Sequence, residues 1–492
     1  MTQEKPQQQP ISTKLISNEK YFKEAVGMGT SFDLGVRKFT VLGKEVHLYF
    51  VNGLADTKFI IHLLTELMEI NDFEFETEKF KEIVENRLVN QQVKHVQILQ
   101  EAVTEVLSGL IAIFLEGANY ALIIDVRSYP GRNPEEPDTE KVVRGARDGF
   151  VENIIVNTAL IRRRIRDERL RYEIMKIGDR SKTDVCVAYI KDVANEDLVS
   201  IVKKELQSIK IDGITMADKT VEEFIVKQGY NPFPLVRYTE RPDVAATHLL
   251  EGHVIIIVDT SPSVMLTPTT LFHHVQHAEE YRQAPAIGTF VRWVRFLGIL
   301  SSIFLLPLWL LFVLEPSLLP KNMVFIGPND QTNIPIVIQI LLADFGVEFL
   351  RMAAIHTPTA LSTAMGLIAA VLIGQIAIDV GLFVPEVILY VSLASIGSFT
   401  TPSYELSVAN KMMRLLLVGL VAIFKLEGFV IGFTVVILSM ANLRSLNTPY
   451  LWPFMPFNPK AMWNVLVRAN VPGAKIRPSI VHPQKVRKQP SR

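Results

Sequence analysis

The stretch that most restricts what this chain can fold into is FLGILSSIFLLPLWLLFVL, residues 296–314. Nineteen residues without a charge, at about 1.5 Å of helix rise each, reach roughly the 30 Å hydrocarbon thickness of a bilayer. A helix in a soluble core rarely carries so long a charge-free run, so the segment reads as a membrane span. Arg292, Trp293 and Arg295 precede it and have the composition of an interfacial anchor.

The chain has 492 residues and zero formal net charge. Before the apolar stretch the composition is that of a soluble protein; after it the chain stays mostly apolar to about residue 443. Length allows about three domains, and the expected fold class is an α+β cytosolic N-terminal region of two subdomains followed by an all-α polytopic membrane domain. The expected partition is a disordered polar tail (1–30), a first α+β subdomain (31–130), a linker with an Arg-rich helix (131–171), a second α+β subdomain (172–290), a helical transmembrane domain (291–446) and a basic cytosolic tail (447–492). The start, MTQEKPQQQPISTK, lacks the apolar core of a secretory signal. The single cysteine, Cys186, excludes internal disulfides, and its setting TDVCVAYI suits a buried strand rather than a nucleophile.

In the soluble half, FTVLGKEVHLYFVNGL from Phe39 alternates around Gly43 and Lys44 and predicts a β-hairpin. Asp56 can cap a helix through Met68, and helical periodicity continues over 78–88 and 93–107. A second hairpin is expected from 110–115 and 120–126, and the Pro- and Gly-rich run 128–149 reads as a connector. Residues 150–171 read as a helix with six arginines toward its end. Arg162, Arg163, Arg164 and Arg166 either form a solvated cationic helix end, favoured by the helix dipole, or a contact for anionic headgroups or a neighbouring subunit. Nucleic acid does not fit a chain of neutral charge without an aromatic-interleaved basic patch. Strands are expected at 173–177, 184–190 and 253–259, the last a continuous apolar run suited to burial on both faces.

Catalytic chemistry finds little support. Neither GxxxxGK[ST] nor GxGxxG occurs in this half, and no motif calls for a cofactor. His273, His274 and His277 cluster, but no catalytic glutamate or cysteine accompanies them, and polar helix surface outweighs a metal site. Asp259 and Ser261 sit in a Pro-containing turn without an evident base. The chain is therefore not expected to be an enzyme.

Beyond residue 314, the segment 334–352 is apolar but carries Asp344, Glu348 and Arg351. Three charges at about 2.5 to 3.5 kcal/mol each would burden an isolated span by roughly 7 to 10 kcal/mol, so this segment is either re-entrant or buried among helices. Residues 360–379 form a second clear span, with Ser362, Gly366, Ala370 and Gly374 at every fourth position. That stripe, with Ala369, Ile373 and Gln375 beside it, either packs helices tightly or lines a conduit. Further spans are expected over 386–401, 405–424 and 428–443, with a turn at 425–427. Asp379, Glu386, Glu405, Lys411 and Arg414 are candidates for a polar pathway or for links within the bundle. Seven cations and no acid over 468–492 indicate a cytosolic C-terminus. The number of crossings is then even, and six is the count favoured.

Four motifs, DGFVENIIVNTALIRRRIRDERL (148–170), RYTERPDV (237–244), LLEGHVIIIVDTSP (249–262) and AEEYRQAPAIGTFVRWVR (278–295), together with NTPYLWPFMPF (447–457), resemble the A subunits of GerA-type spore germinant receptors. The resemblance covers nearly the whole chain from about Phe32. DVRSYPGRNPEEPDTEKVVRGARDGF (125–150) and SFDLGVRKF (31–39) point to one subgroup. The resemblance implies a two-part cytosolic domain, a helical membrane domain in the spore inner membrane, and a homo-oligomeric ring around an ion pathway. It implies a role in germination, where monovalent cations leave the spore core, and a small membrane-protein partner for this subgroup. No catalytic residues carry over from it.

Overall fold

The computed structural model describes residues 9–26, 28, 34–41, 43–69, 93–128, 132–137, 140–329, 334–356, 366 and 371–489. The chain divides into two units, 1–132 and 133–492.

In the first unit the elements run α1 (Leu15–Val26), β1 (Leu34–Val41), β2 (Lys44–Val51), α2 (Thr57–Glu69), β3 (Val93–Val96), α3 (Leu99–Leu107), β4 (Ile111–Leu115) and β5 (Ala121–Ile124). The strands form one antiparallel sheet in the order β1-β2-β4-β5-β3. Both expected hairpins are present. The first turns at Gly43, whose φ of +77° suits a residue without Cβ. Asp56 caps α2, its Oδ1 accepting from the Lys58 amide at 2.9 Å. One sheet face packs on Ile60, Leu63 and Leu67 of α2; the other packs on Leu15 and Phe22 of α1 and Leu99, Ala102 and Val106 of α3.

Two expectations change in this unit. Residues 15–26 are helical rather than a disordered tail, because Leu15, Asn18 and Phe22 make a buried stripe within a polar composition. Residues 93–107 are not one helix: Val93–Val96 pairs with β5 as an edge strand before α3 begins. The helix expected at 78–88 lies outside the described residues.

The second unit opens with α4 (Ile154–Arg164), β6 (Leu170–Ile177), β7 (Thr183–Ile190), α5 (Glu196–Ser208), α6 (Ala217–Val226), β8 (Arg237–Thr239), α7 (Pro242–Glu251), β9 (Val254–Val258) and β10 (Val264–Thr267). Its antiparallel sheet has the order β6-β7-β9-β10-β8, the same topology as the first. α4 and α7 cover one face and α5 and α6 the other. Cys186 is buried in β7, as its apolar setting predicts. The Arg-rich segment is not a single helix through residue 171. It starts after Asn153, whose side chain accepts from the Ile155 and Val156 amides, and ends at Arg164; β6 begins at Leu170. It packs into the core of the second sheet and so belongs to that subdomain, not to a linker.

Short helices α8 (Leu271–Val275) and α9 (Ala278–Arg282) lead into α10 (Pro285–Leu314), α11 (Ile336–His356), α12 (Pro385–Phe399) and α13 (Tyr404–Asn442). Among the described residues, α10 and α13 are long and apolar enough to cross a membrane. Lys425 breaks α13 with φ 51° and ψ −123°. Beyond it the chain reverses, so that Gly428 lies against Leu420 and Gly432 against Leu417. The arms 404–424 and 426–442 are therefore antiparallel, with the expected turn between them, and Lys425 pairs with Glu315 at the end of α10 at 3.3 Å.

Contacts fix the directions. α10 and the first arm of α13 run in parallel, since Phe296 and Ile299 meet Leu406 and Ala409 at one end while Leu306 and Leu310 meet Val418 and Val421 at the other. α11 and α12 run the opposite way. Arg351 faces Tyr404 and Asp344 faces Arg414; Tyr390 stacks on Trp309 and Gly397 crosses Gly298.

After α13 come β11 (Arg444–Ser445), β12 (Thr448–Pro449) and α14 (Pro459–Leu466). The expected basic tail is packed rather than free. The Gln484 amide donates to Val193 O at 3.0 Å, Arg477 Nε donates to Leu250 O at 2.7 Å, and Ile480 and Val481 are buried. Gly252, at φ +106°, ends α7 in the left-handed conformation and leaves room for Val481 and Pro483.

Candidate functional site in the helical bundle

Five of the eight ionisable residues expected within the apolar half meet in one place. Arg414 Nη2 donates to Asp344 Oδ1 at 2.5 Å and Arg414 Nη1 to Ser302 O at 3.0 Å. Lys411 Nζ donates to Glu348 Oε2 at 2.8 Å and to Asp344 O at 3.1 Å. Arg351 Nη2 reaches Glu348 Oε1 at 2.6 Å, and its guanidinium lies 5.1 Å from the Tyr404 ring centre. Asp344 and Arg414 are buried almost completely.

The placement follows from helix geometry. Asp344, Glu348 and Arg351 recur at i, i+4 and i+7 and share one face of α11; Lys411 and Arg414, three apart, share the facing side of α13. An apolar bundle tolerates such charges only when they are paired and hydrogen-bonded. Two carboxylates here meet three cations, and the backbone carbonyls of Ser302 and Asp344 take up further donors. The cluster ties α10, α11 and α13 together.

Other candidates fall elsewhere. Glu405 pairs with Lys219 of α6 at 3.1 Å, Glu386 Oε1 accepts from the Asn329 amide at 3.1 Å, and Asp379 is exposed. Of the small-residue stripe, Ser362, Ala369 and Ala370 lie outside the described residues, as does the Ile373 side chain. Among the described residues, a Cβ on Gly366 or Gly374 would meet nothing within 4 Å, and Gln375 is exposed. Residues 372–376 are a π-helical stretch rather than regular α-helix.

Close packing occurs instead at other glycines. Gly397 abuts the backbone of Gly298 and Ser302 where α12 crosses α10, and Gly428 and Gly432 close the α13 hairpin. Their signals in the sequence are Gly298 and Ser302 four apart and a GxxxG at 428–432.

The expected interfacial arginines face inward. Arg292 is buried; its Nε donates to Glu280 Oε2 at 2.7 Å and its Nη1 to Val465 O at 2.9 Å. Arg295 pairs with the other oxygen of Glu280. The pairing with a buried glutamate from α9 turns both side chains inward. Trp293 stays exposed, its indole N–H donating to Leu466 O at 2.9 Å. In the Arg-rich helix, Arg164 pairs with Asp148 at 2.6 Å and Arg162 donates to Asp167 O and Leu170 O; Arg163 and Arg166 are exposed.

His273 and His274 are packed inside the second subdomain rather than on a polar surface. The His273 ring lies 5.2 Å from that of His253 and 5.9 Å from that of His248, and His274 lies 6.2 Å from Tyr450. Burial lowers the pKa of His253 to about 4 and that of His274 to about 3, and Arg237 pushes both in the same direction. Ser261 donates to Asp218 Oδ2 at 2.7 Å, and Asp259 Oδ1 accepts from the Ile154 amide at 3.1 Å. The two are engaged in holding the loop.

The family profile described as "Bacillus/Clostridium GerA spore germination protein" matches residues 20–480. Stage V sporulation protein AF of Bacillus subtilis (strain 168) is 71% identical over 474 residues, covering 96% of each chain. Spore germination protein A1 of the same organism is 31% identical over 373 residues, covering 75% of this chain and 77% of its own. The crystal structure of the N-terminal domain of the A subunit of the Bacillus megaterium spore germinant receptor GerK3 shares 28% identity, covers 53% of this chain and 96% of that one, and has a TM-score of 0.22. With a family match that spans most of its length and a 71% identical relative, this chain belongs to the GerA family of spore germination proteins.

Proposed function

We propose that this chain is a multi-pass subunit of the spore inner membrane that assembles with copies of itself around a cation-release path and so initiates or amplifies germination. Both termini lie in the cytosol. α10, α11, α12 and the two arms of α13 make five crossings, and the sixth falls between His356 and Pro385, where the chain has to return to the start of α12. A small membrane protein and other germination proteins are its partners.

The observation that carries the channel reading is the contrast between the two polar features of the bundle. The charge cluster is paired within one subunit, whereas the small residues Gly366 and Gly374 have no neighbour among the described residues within 4 Å of where a side chain would begin. A stripe left open in the subunit suits close approach of a second copy, with Ser362, Ala369, Ala370, Ile373 and Gln375 along or beside the path. Reconstitution in potassium-loaded liposomes tests it. The expected result is cation efflux that Gly374→Trp abolishes while the oligomer persists; no efflux from an assembled protein rejects it.

A second reading, a non-conducting scaffold that recruits germination proteins, is favoured by the exposure of Arg163 and Arg166. It predicts that reversing these two charges releases a partner while bulky changes along 360–379 leave germination intact unless assembly fails.

A further inference from the structure

We propose that the segment 454–466, with the start of α10, forms a foot lying in the headgroup layer of the membrane and that its partner is the lipid surface itself. The proposal rests on α10 being a membrane span. The segment follows the last arm of α13 and would pass for cytosolic loop by charge, yet it exposes Phe454, Met455, Phe457 and Trp463. Phe457 is 66% and Trp463 64% exposed, which is unusual for clustered large aromatics.

Three observations specify lipid. The first is height. Arg292 donates to the carbonyls of Asn464 and Val465, Trp293 to that of Leu466, and the Arg468 amide to Thr289 Oγ1 at 3.1 Å. α14 is therefore fixed beside residues 289–293. The charge-free run begins at Phe296, about 5 Å further along at 1.5 Å per residue, so α14 stands at headgroup depth. The second is continuity: Phe290 and Trp293, both more than half exposed, extend the aromatic surface of the foot into the exposed apolar side of α10 at Leu297 and Leu300. The third is orientation. The arginines beside the segment are locked inward, because Arg292 is buried against Glu280 and Arg468 donates to Tyr281 O at 2.7 Å. The aromatic side faces out. Aromatic rings with an exposed lysine, here Lys460, are the composition of an in-plane interfacial helix.

The chain's one cysteine is buried, which allows a direct test. Spin labels are placed singly at Phe457→Cys, Trp463→Cys, Leu300→Cys and Arg163→Cys of the full chain in a Cys186→Ala background, reconstituted in phosphatidylglycerol-containing liposomes. Folding is checked by helix content and elution. The expected result is that labels at 457 and 463 gain oxygen access and lose access to an aqueous nickel chelate relative to 163, at a depth shallower than 300. Labels at 457 and 463 as open to the chelate as 163, with 300 in lipid, overturn the foot alone. Labels at 457 and 463 shielded from both reagents assign the surface to a protein partner and also overturn it. A water-exposed label at 300 removes the membrane reading of α10 and the foot with it.

Discussion

The two sheets are built to one plan: a helix, a hairpin, helical coverage, a short strand, a helix and a second hairpin, with the short strand inserted at the far edge. They differ in what that edge meets. In the first sheet β3 is a charged edge. Lys94 bridges Glu101 at 2.7 Å and Glu105 at 3.4 Å in solvent, a common way to protect an edge from further pairing. In the second sheet the equivalent β8 is covered. Tyr238 donates to Glu222 at 2.6 Å, Arg237 is buried, and the preceding Leu235 carbonyl accepts from Thr269 and from Ser445, just past the last arm of α13. The same topology thus serves once as a self-contained unit and once as the seat of a helical bundle. What changes is a handful of side chains at one edge.

The largest expected effect lies in the bundle seated on that edge. Asp344→Leu leaves Lys411 and Arg414 with only Glu348 and carbonyls, and removing one partner from a buried ion pair costs about 3 to 5 kcal/mol. Thermal unfolding in detergent should register that loss. Asp344→Leu combined with Arg414→Leu should recover a good part of it, whereas additive losses would show that the pair is not coupled. Variants with a broken cluster should keep the first sheet intact, as read by proteolysis.

Next in size is acid sensitivity, which should separate the two sheets. His253 and His274 have folded pKa values of about 4 and about 3, below the ordinary value of 6.5. Below about pH 6.5 the unfolded chain takes up protons that the folded state refuses, so stability falls as pH drops toward about 4. Every tenfold loss of proton affinity on folding is worth about 1.4 kcal/mol once the unfolded imidazole is charged. Hydrogen exchange between pH 7 and 5 should open the second sheet. His253→Gln with His274→Gln should reduce the slope, the remainder being carried by His248, His273 and His277, whose pKa values burial also lowers; an unchanged slope would assign the acid sensitivity elsewhere.

A smaller effect is expected at the seat itself. Ser445→Ala removes the hydroxyl that donates to Leu235 O at 2.7 Å and accepts from the Thr269 amide at 3.1 Å. A buried donor left unmade costs about 1 to 3 kcal/mol. The loss should loosen the bundle from the sheet, seen as faster exchange at the Thr269 amide, without altering either sheet's core.

How much of this is legible in the sequence follows from the range of the forces involved. The hairpins, the cap at Asp56, the buried strand with Cys186 and the turn at Lys425 are local patterns. They stand in the structure as expected. The duplicated topology is hidden, because β8 and β10 are three- and four-residue strands without room for a periodic signal. The five charges are recognisable singly, but their meeting depends on two helices 60 to 70 residues apart in sequence. Arg292 and Arg295 pass for interfacial residues for the same reason. Their partner Glu280 sits in a five-residue helix, and nothing local shows that it faces them.

The smallest effect sharpens the contrast from the other side. If β3 is only a protected edge, Lys94→Ala should cost little, since Lys94 is exposed and exposed ion pairs contribute about 0.2 to 1 kcal/mol. The more telling outcome is association. Without the cation, the outer edge of VKHV loses its guard against pairing with another chain, and the mutant should form slightly more dimer at high concentration by sedimentation. Lys94→Leu should do so more strongly. Tyr238→Phe in the equivalent strand offers the control, since that edge is already covered by the rest of its own subunit and its change should leave the association state alone. A destabilisation by Lys94→Ala as large as that by Ser445→Ala would mean that both edges are seats, and that the first unit too holds a partner there.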